Sequence, residues 1–278
     1  KNNTIVTVGG GDEPVAAVEL FNFAKEISLD VIAIGKGKNN PFDVFKTPKD
    51  LEKEALKKNM NPYMLTSFVD GSKTMIEMAA LANYLDFNID TDGMHGPNST
   101  YDELNSIFIP KSSGGILEKT NIVDFAFGVA PGVFAIVYSE DDYVNYEMEY
   151  LKMGKGPYWT LYRPYHLTSL EIPRTIMKLM VDKETQLSAK KWNVEVVAHS
   201  KKDLKAGTNL GSIGGENIYG KAMRVENSKN LAPLGLSENN ILNSDVKKGD
   251  PIEIKNIDII DNQLYKYWLS QNSWINIE

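Results

Sequence analysis

The stretch Val31-Ile32-Ala33-Ile34-Gly35-Lys36-Gly37-Lys38-Asn39-Asn40-Pro41 decides how the chain is read. Its first four residues, β-favouring or small and apolar, predict a buried strand. The glycines that follow let the backbone turn sharply, with Lys36, Lys38, Asn39 and Asn40 pointing their donors outward. Donors gathered at the carboxyl end of a buried strand make a binding edge. The plainer alternative is a solvated turn, since Lys and Asn are common in surface loops. Other stretches weigh between the two.

Working outward, Thr4 to Val8 predicts a strand, followed by Gly9-Gly10-Gly11-Asp12-Glu13-Pro14 and a helix from Val15 to about Lys25. Asp12 or Glu13 suits the cap of that helix and Pro14 its first turn. Strand, glycine turn, helix, strand invites comparison with the dinucleotide pattern G-x-G-x-x-G. Gly9 and Gly11 fit, but Pro14 stands at the third position and Gly35-Lys36 replaces the acidic residue expected after the second strand. Two carboxylates at a helix start would also repel a pyrophosphate.

Composition narrows the function classes. The chain has 278 residues, 42% of them apolar and 10% aromatic, which suits a globular protein of two units. A net charge of −7 from 30 basic and 37 acidic residues argues against a nucleic-acid or membrane-surface binder. Cysteine is absent, which excludes disulfides, thiolate metal sites and a cysteine nucleophile, and makes a reducing cytoplasm the expected location. The segment Phe125 to Tyr138 is too short to span a bilayer. No secretion signal is read in the opening residues. A start without methionine, almost inside a strand, suggests a piece of a longer polypeptide.

Further along, a charged helix is expected from Pro48 or Lys49 to Lys58. The run Leu65 to Thr74 then leads into a helix, Met75 to Tyr84, buried nearly all round. Its polar entry, Ser67, Asp70, Ser72, Lys73 and Thr74, needs partners; capping accounts for Asp70 or Ser72 more readily than for Lys73. His95 lies in the tight loop Gly93-Met94-His95-Gly96-Pro97, where it is either a turn residue or a group open to a ligand. Tyr101 to Ile107 predicts a short helix. Ile122 to Tyr138 predicts two strands forming a hairpin around Gly128 to Gly132, and Asp141 to Leu151 a further helix. Tyr158 to His166 combines aromatics with Arg163, a planar fork for phosphate or carboxylate, and His166, which titrates near neutrality. Covering an interface is the alternative use of those residues. Together Lys36, Lys38, Lys73, His95, Arg163 and His166 would form one cationic pocket for a small anion.

From Asn193 onward, short β-runs between turn signals predict a β-rich domain, with Asp182 to Lys191 as linker. The expected organisation is α+β: residues 1–185 as a catalytic and oligomerisation domain with a mixed sheet, 192–262 as a small β-rich domain, and 263–278 as a tail. No metal site is expected, because the spacing of Asp70, Glu77, Asp90 and Asp92 matches no ligand pattern.

The series GGGDEP (9–14), GKGKNNP (35–41), LTSFVDGSKTMIEMA (65–79), GMHGP (93–97), GVAPGVF (128–134), YLKMGKGPYWTLYRPYHL (150–167) and IGG followed by IYG (213–220) resembles the homoserine-dehydrogenase-like and SAF-domain oxidoreductases. The resemblance includes their 1-deoxy-xylulose-5-phosphate-reductoisomerase-like branch and runs from about Ile5 to Ile260. It implies a β-clip-type SAF domain at the C-terminal end, NAD(P)H as cofactor, and a Rossmann domain that these residues lack. It further implies that Lys36, Lys38, Asn39 and Asn40 hold substrate oxygens and that Ser67 and Lys73 line the same pocket. Tyr162, Arg163 and His166 would bind a phosphate or carboxylate and polarise a carbonyl. Lys36, Lys38 and His166 are the expected catalytic groups, with Lys36 donating a proton to the oxygen that gains charge during hydride transfer. The expected substrate is a small anionic keto sugar, sugar phosphate or polyol, and a homo-oligomer is expected. Homoserine dehydrogenase and a non-enzymatic ligand-binding or assembly module are the alternatives.

Overall fold

The computed structural model describes residues 6–271. In chain order the helices are α1 (Glu13–Glu26), α2 (Pro48–Lys57), α3 (Pro62–Val69), α4 (Ser72–Leu85), α5 (Leu104–Ile107), α6 (Asp142–Tyr150), α7 (Ile172–Val181), α8 (Leu234–Ser237) and α9 (Gln263–Gln271). The strands are β1 (Asp30–Lys38), β2 (Ile122–Phe127), β3 (Val133–Tyr138), β4 (Tyr158–Arg163), β5 (Val194–Ser200) and β6 (Ile218–Arg224). The chain divides into two compact units. One takes the chain up to Asn39 together with Glu77–Asn193; the other takes Asn40–Ile76 and the chain from Val194. Of the expected first strand, residues 4 and 5 lie outside the described residues, and Val6 to Val8 form no strand.

The first unit is built on a four-stranded mixed sheet in the order β2-β1-β3-β4. β1 runs parallel to β2 and antiparallel to β3, which is antiparallel to β4. Two expectations change here. β1 continues through Gly35, Lys36, Gly37 and Lys38, so the sharp turn read after Ile34 is strand. The reason is close approach rather than a turn: a Cβ on Gly35 would lie 1.9 Å from the Asp124 carbonyl oxygen, and one on Gly37 2.4 Å from the Ala130 nitrogen. The segment Ile122 to Tyr138 supplies two strands, but they do not form a hairpin, because β1 lies between them. Its connecting loop crosses the end of β1, where the Gly37 N–H donates to the Gly132 carbonyl. Periodicity reveals strands but not their partners, so the inserted strand was invisible.

Register then assigns the faces. Lys36 stands opposite Val133, and Val133 opposite Arg163, so these three share one face. That face meets α1, whose Glu13 and Glu19 reach Lys36 and Arg163. On the opposite face Ala33, Ile122, Ala126, Phe134 and Ile136 pack on Leu104, Phe108, Ile109 and Leu117. Phe108 and Phe134 stack with ring centroids 5.1 Å apart. Helix α4 exposes Ile76 and buries Met75, Met78, Leu81 and Ala82, consistent with its apolar composition.

The second unit joins sequence-distant pieces. Thr47 and Asp50 form a capping box at the start of α2, and Leu51 and Ala55 pack on Leu65 and Val69 of α3. β5 and β6 form a two-stranded antiparallel sheet, extended by isolated bridges such as Val197 with Pro233 and Leu204 with Val246. A buried ammonium ties the pieces together: Lys201 meets Asp70 at 2.8 Å and donates to the carbonyls of Lys46 and Gly215. Burial lowers the Lys201 pKa, with Asp70 opposing the shift. Ser72 adds a further tie, its hydroxyl accepting from the Gly220 N–H at 2.8 Å. Among the described residues no helix is long and apolar enough to cross a membrane.

Candidate active site

β1 carries Lys36 into the face covered by α1. Its ammonium lies 2.9 Å from Glu13 and also contacts Glu77 on α4. All three side chains are largely withdrawn from solvent. Asp12, at the start of α1, makes no capping bond, contrary to one of the roles open to it. Instead Asp12, Glu13 and Glu77 each bring a carboxylate oxygen within 4.8 Å of the others. The glycine turn before α1 is shaped by its neighbours: Gly10 donates its N–H to Thr175, and Gly11, at φ 85°, would drive a Cβ to 2.5 Å from the Leu167 carbonyl oxygen. That packing places Glu13 beside Lys36.

His166 completes the cluster. Its Nδ1 lies 2.9 Å from the Gly11 carbonyl oxygen, which can only accept, so Nδ1 carries the proton. Nε2 is then turned toward Glu13, 3.7 Å away. Glu13 thus stands between His166 and Lys36, bonded to the lysine and beyond hydrogen-bond reach of the imidazole. Charge around Lys36 is weighted toward carboxylate, the reverse of the cationic pocket expected from sequence. An oxygen set of this kind suits a hard divalent cation, and the Lys36 ammonium holds two of the same side chains.

The other expected residues divide by location. Arg163 pairs with Glu19 at 2.8 Å and with Glu171, and lies over the Tyr165 ring, so its fork is engaged within the protein. Tyr162 projects from the opposite face and donates to the Val129 carbonyl at 2.7 Å. Lys38 is buried at the end of β1, and Asn39 after it is exposed. His95 forms a second cluster at the edge of β2, with Nδ1 2.8 Å from Asp124 and Nε2 3.4 Å from Asp90. The hydrogen bond to Asp124, helped by the charges of Asp124 and Asp90, raises the His95 pKa against burial. Asp124 also accepts from the N–H groups of His95, Gly96 and Phe125. Asn40, Ser67 and Lys73 belong to the second unit. There Ser67 and Lys73 line an open groove of about 360 Å³ with Tyr63, Met64 and Phe68.

Sequence reasoning passed over Asp124, set Glu77 aside among carboxylates whose spacing matches no ligand pattern, and treated Asp12 and Glu13 as caps. Glu13 and Glu77 lie 23 and 41 residues from Lys36, a separation that no local pattern bridges. The available signal was a glutamate in an otherwise apolar helix, because a buried carboxylate needs a partner.

Lys36 on the covered face of the sheet, with Glu13 of α1, Glu77 of α4 and His166 around it, makes up the candidate active site. Residues 11–172 match the family model described as "Oxidoreductase DRL, catalytic domain", more than half of the chain, and the chain belongs to that family. The matched span contains Asp12, Glu13, Lys36, Glu77, Asp124 and His166. No curated protein matches the chain.

Proposed function

We propose that the chain is the substrate-binding and C-terminal part of an NAD(P)H-dependent oxidoreductase that reduces the carbonyl of a small anionic keto sugar, sugar phosphate or related polyol precursor. The dinucleotide would be held by a Rossmann domain outside these residues, and the region from Val194 would be an SAF-type module. The observation that carries the reading is the buried Lys36 ammonium held by Glu13 and Glu77 beside His166, set within an oxidoreductase catalytic domain.

Hydride delivered to a carbonyl carbon leaves negative charge on its oxygen. An ammonium within hydrogen-bond reach stabilises that charge and donates the proton. Glu13 and Glu77 fix the position of the Lys36 ammonium, and His166 lies on the other side of Glu13. Lys38 and Asn39 are the proposed contacts to substrate oxygens.

The test is NADPH oxidation by the protein joined to its dinucleotide domain, with deoxyxylulose phosphate and aspartate semialdehyde offered separately. Turnover of the first supports the proposal; turnover of the second alone favours homoserine dehydrogenase; turnover of neither favours the non-enzymatic module. Self-association is proposed as well, supported by the exposed apolar side chains Ile176, Met177, Met180 and Val181 on α7. Light scattering should give a mass above the monomer, and Met177→Glu should reduce it.

A further inference from the structure

We infer that the first unit carries a second binding site, for a small hydroxylated anion, between α1, the end of α4 and the segment 183–190. An open pocket of about 620 Å³ is lined by Asn22, Tyr84, Lys183, Thr185, Ser188 and Lys190. It adjoins a recess of about 40 Å³ bordered by Val15, Val18, Lys178 and Gln186, with Asn22, Tyr84, Glu184 and Thr185 common to both. Gln186 is 7% exposed, and no protein group donates to its buried Oε1. A buried amide oxygen left unpaired is costly, so its position at the recess calls for a donor from outside the protein.

The charges describe the rest of the ligand. Lys178, Lys183 and Lys190 border the two cavities against Glu19 and Glu184. Glu19 is committed to Arg163 and Arg174, and Lys190 lies over the Tyr84 ring, 4.2 Å from its centroid. The balance is cationic in an acidic protein. A hydroxyl reaching Gln186 from a skeleton whose phosphate or carboxylate stays among the lysines satisfies both features.

The site is separate from the Lys36 cluster. Asn22 lies nine residues beyond Glu13 on α1, about 14 Å along the helix, and Tyr84 seven beyond Glu77 on α4, about 10 Å.

Calorimetric titration of the 278-residue chain with glycerol 3-phosphate, inorganic phosphate and glycerol tests the inference. Glycerol 3-phosphate should bind more tightly than either of the others. Gln186→Met should weaken it about tenfold, the effect of one lost hydrogen bond, while leaving phosphate unchanged. Lys190→Gln, at an exposed position that folding tolerates, should weaken both anions several-fold. Binding should persist in Lys36→Met, so failure of the proposed catalysis and failure of this site read out separately. Equal affinity for glycerol 3-phosphate and phosphate, an unaltered titration in Gln186→Met as expected of a recess filled only by water, or no binding of either anion overturns the inference.

Discussion

Two of the buried lysines, Lys36 in the first unit and Lys201 in the second, are held in opposite ways. Lys201 meets one carboxylate, Asp70, and two backbone carbonyls, so its three donors are matched and its charge is balanced. Lys36 meets two carboxylates with a third nearby, and one of them also faces a histidine. The first arrangement is closed: every proton has a fixed acceptor and nothing remains to respond to a ligand. The second retains surplus acceptors and a histidine beside them. A buried lysine is therefore informative about chemistry only once its partners have been counted.

The largest expected effect breaks the comparison at the catalytic end. Lys36→Arg keeps the positive charge but offers a guanidinium that does not release its proton. Turnover in the NADPH assay of the proposed function should fall by about 10²- to 10⁴-fold, with the protein still folded by circular dichroism. Near-normal turnover would show that charge alone suffices and that Lys36 resembles Lys201 after all.

At the structural end, Lys201→Met leaves Asp70 buried without its partner and should cost about 3–5 kcal/mol in urea unfolding. Adding Asp70→Leu should recover most of that loss, because a buried pair replaced by apolar groups is often neutral. Failure of the double variant to recover would mean that the pair specifies the local structure rather than merely balancing charge.

Two histidines sharpen the contrast through pH. Burial pushes the His199 pKa down to about 4, below the ordinary 6.5 of the unfolded chain. Its contribution is thus complete above about pH 6.5 and lost as pH falls toward 4, amounting to about 3 kcal/mol. His95 has the opposite sign: with its pKa raised by Asp124, its contribution is complete below the unfolded value and lost as pH rises through the folded one. Urea midpoints for His199→Phe and His95→Gln across pH 4 to 8 should change slope in opposite directions. The smallest effect is Thr47→Ala, which removes the capping box of α2 and should lower stability by about 1 kcal/mol.

Much of the helical structure was legible in the chain because its signals are local. Pro48 and Lys58 bracket α2, Asp141 caps α6 through the N–H groups of Tyr143 and Val144, and the apolar density of 75–84 predicted a buried helix. Lys36 and His166 were also legible, as uncommon residue types next to glycine or aromatic runs. The sheet order was not, because β1 inserts between β2 and β3 from 80 and more residues away in sequence. The carboxylates were hidden for the same reason. A lysine advertises a site, but its partners are known only once the chain has folded back.

Gly35 and Gly37 gave β1 its close neighbours, and they also leave it with lysines along one side and bare backbone along the other. A strand with that profile has a single tolerable alignment. Slipped by one position, it would drive two ammonium groups into the aromatic layer around Phe108 and Phe134 and jam side-chain carbons against the Asp124 carbonyl. The alternation that presents Lys36 to Glu13 thereby proofreads its own placement, and a misaligned chain would be rejected during folding, before a faulty enzyme could form.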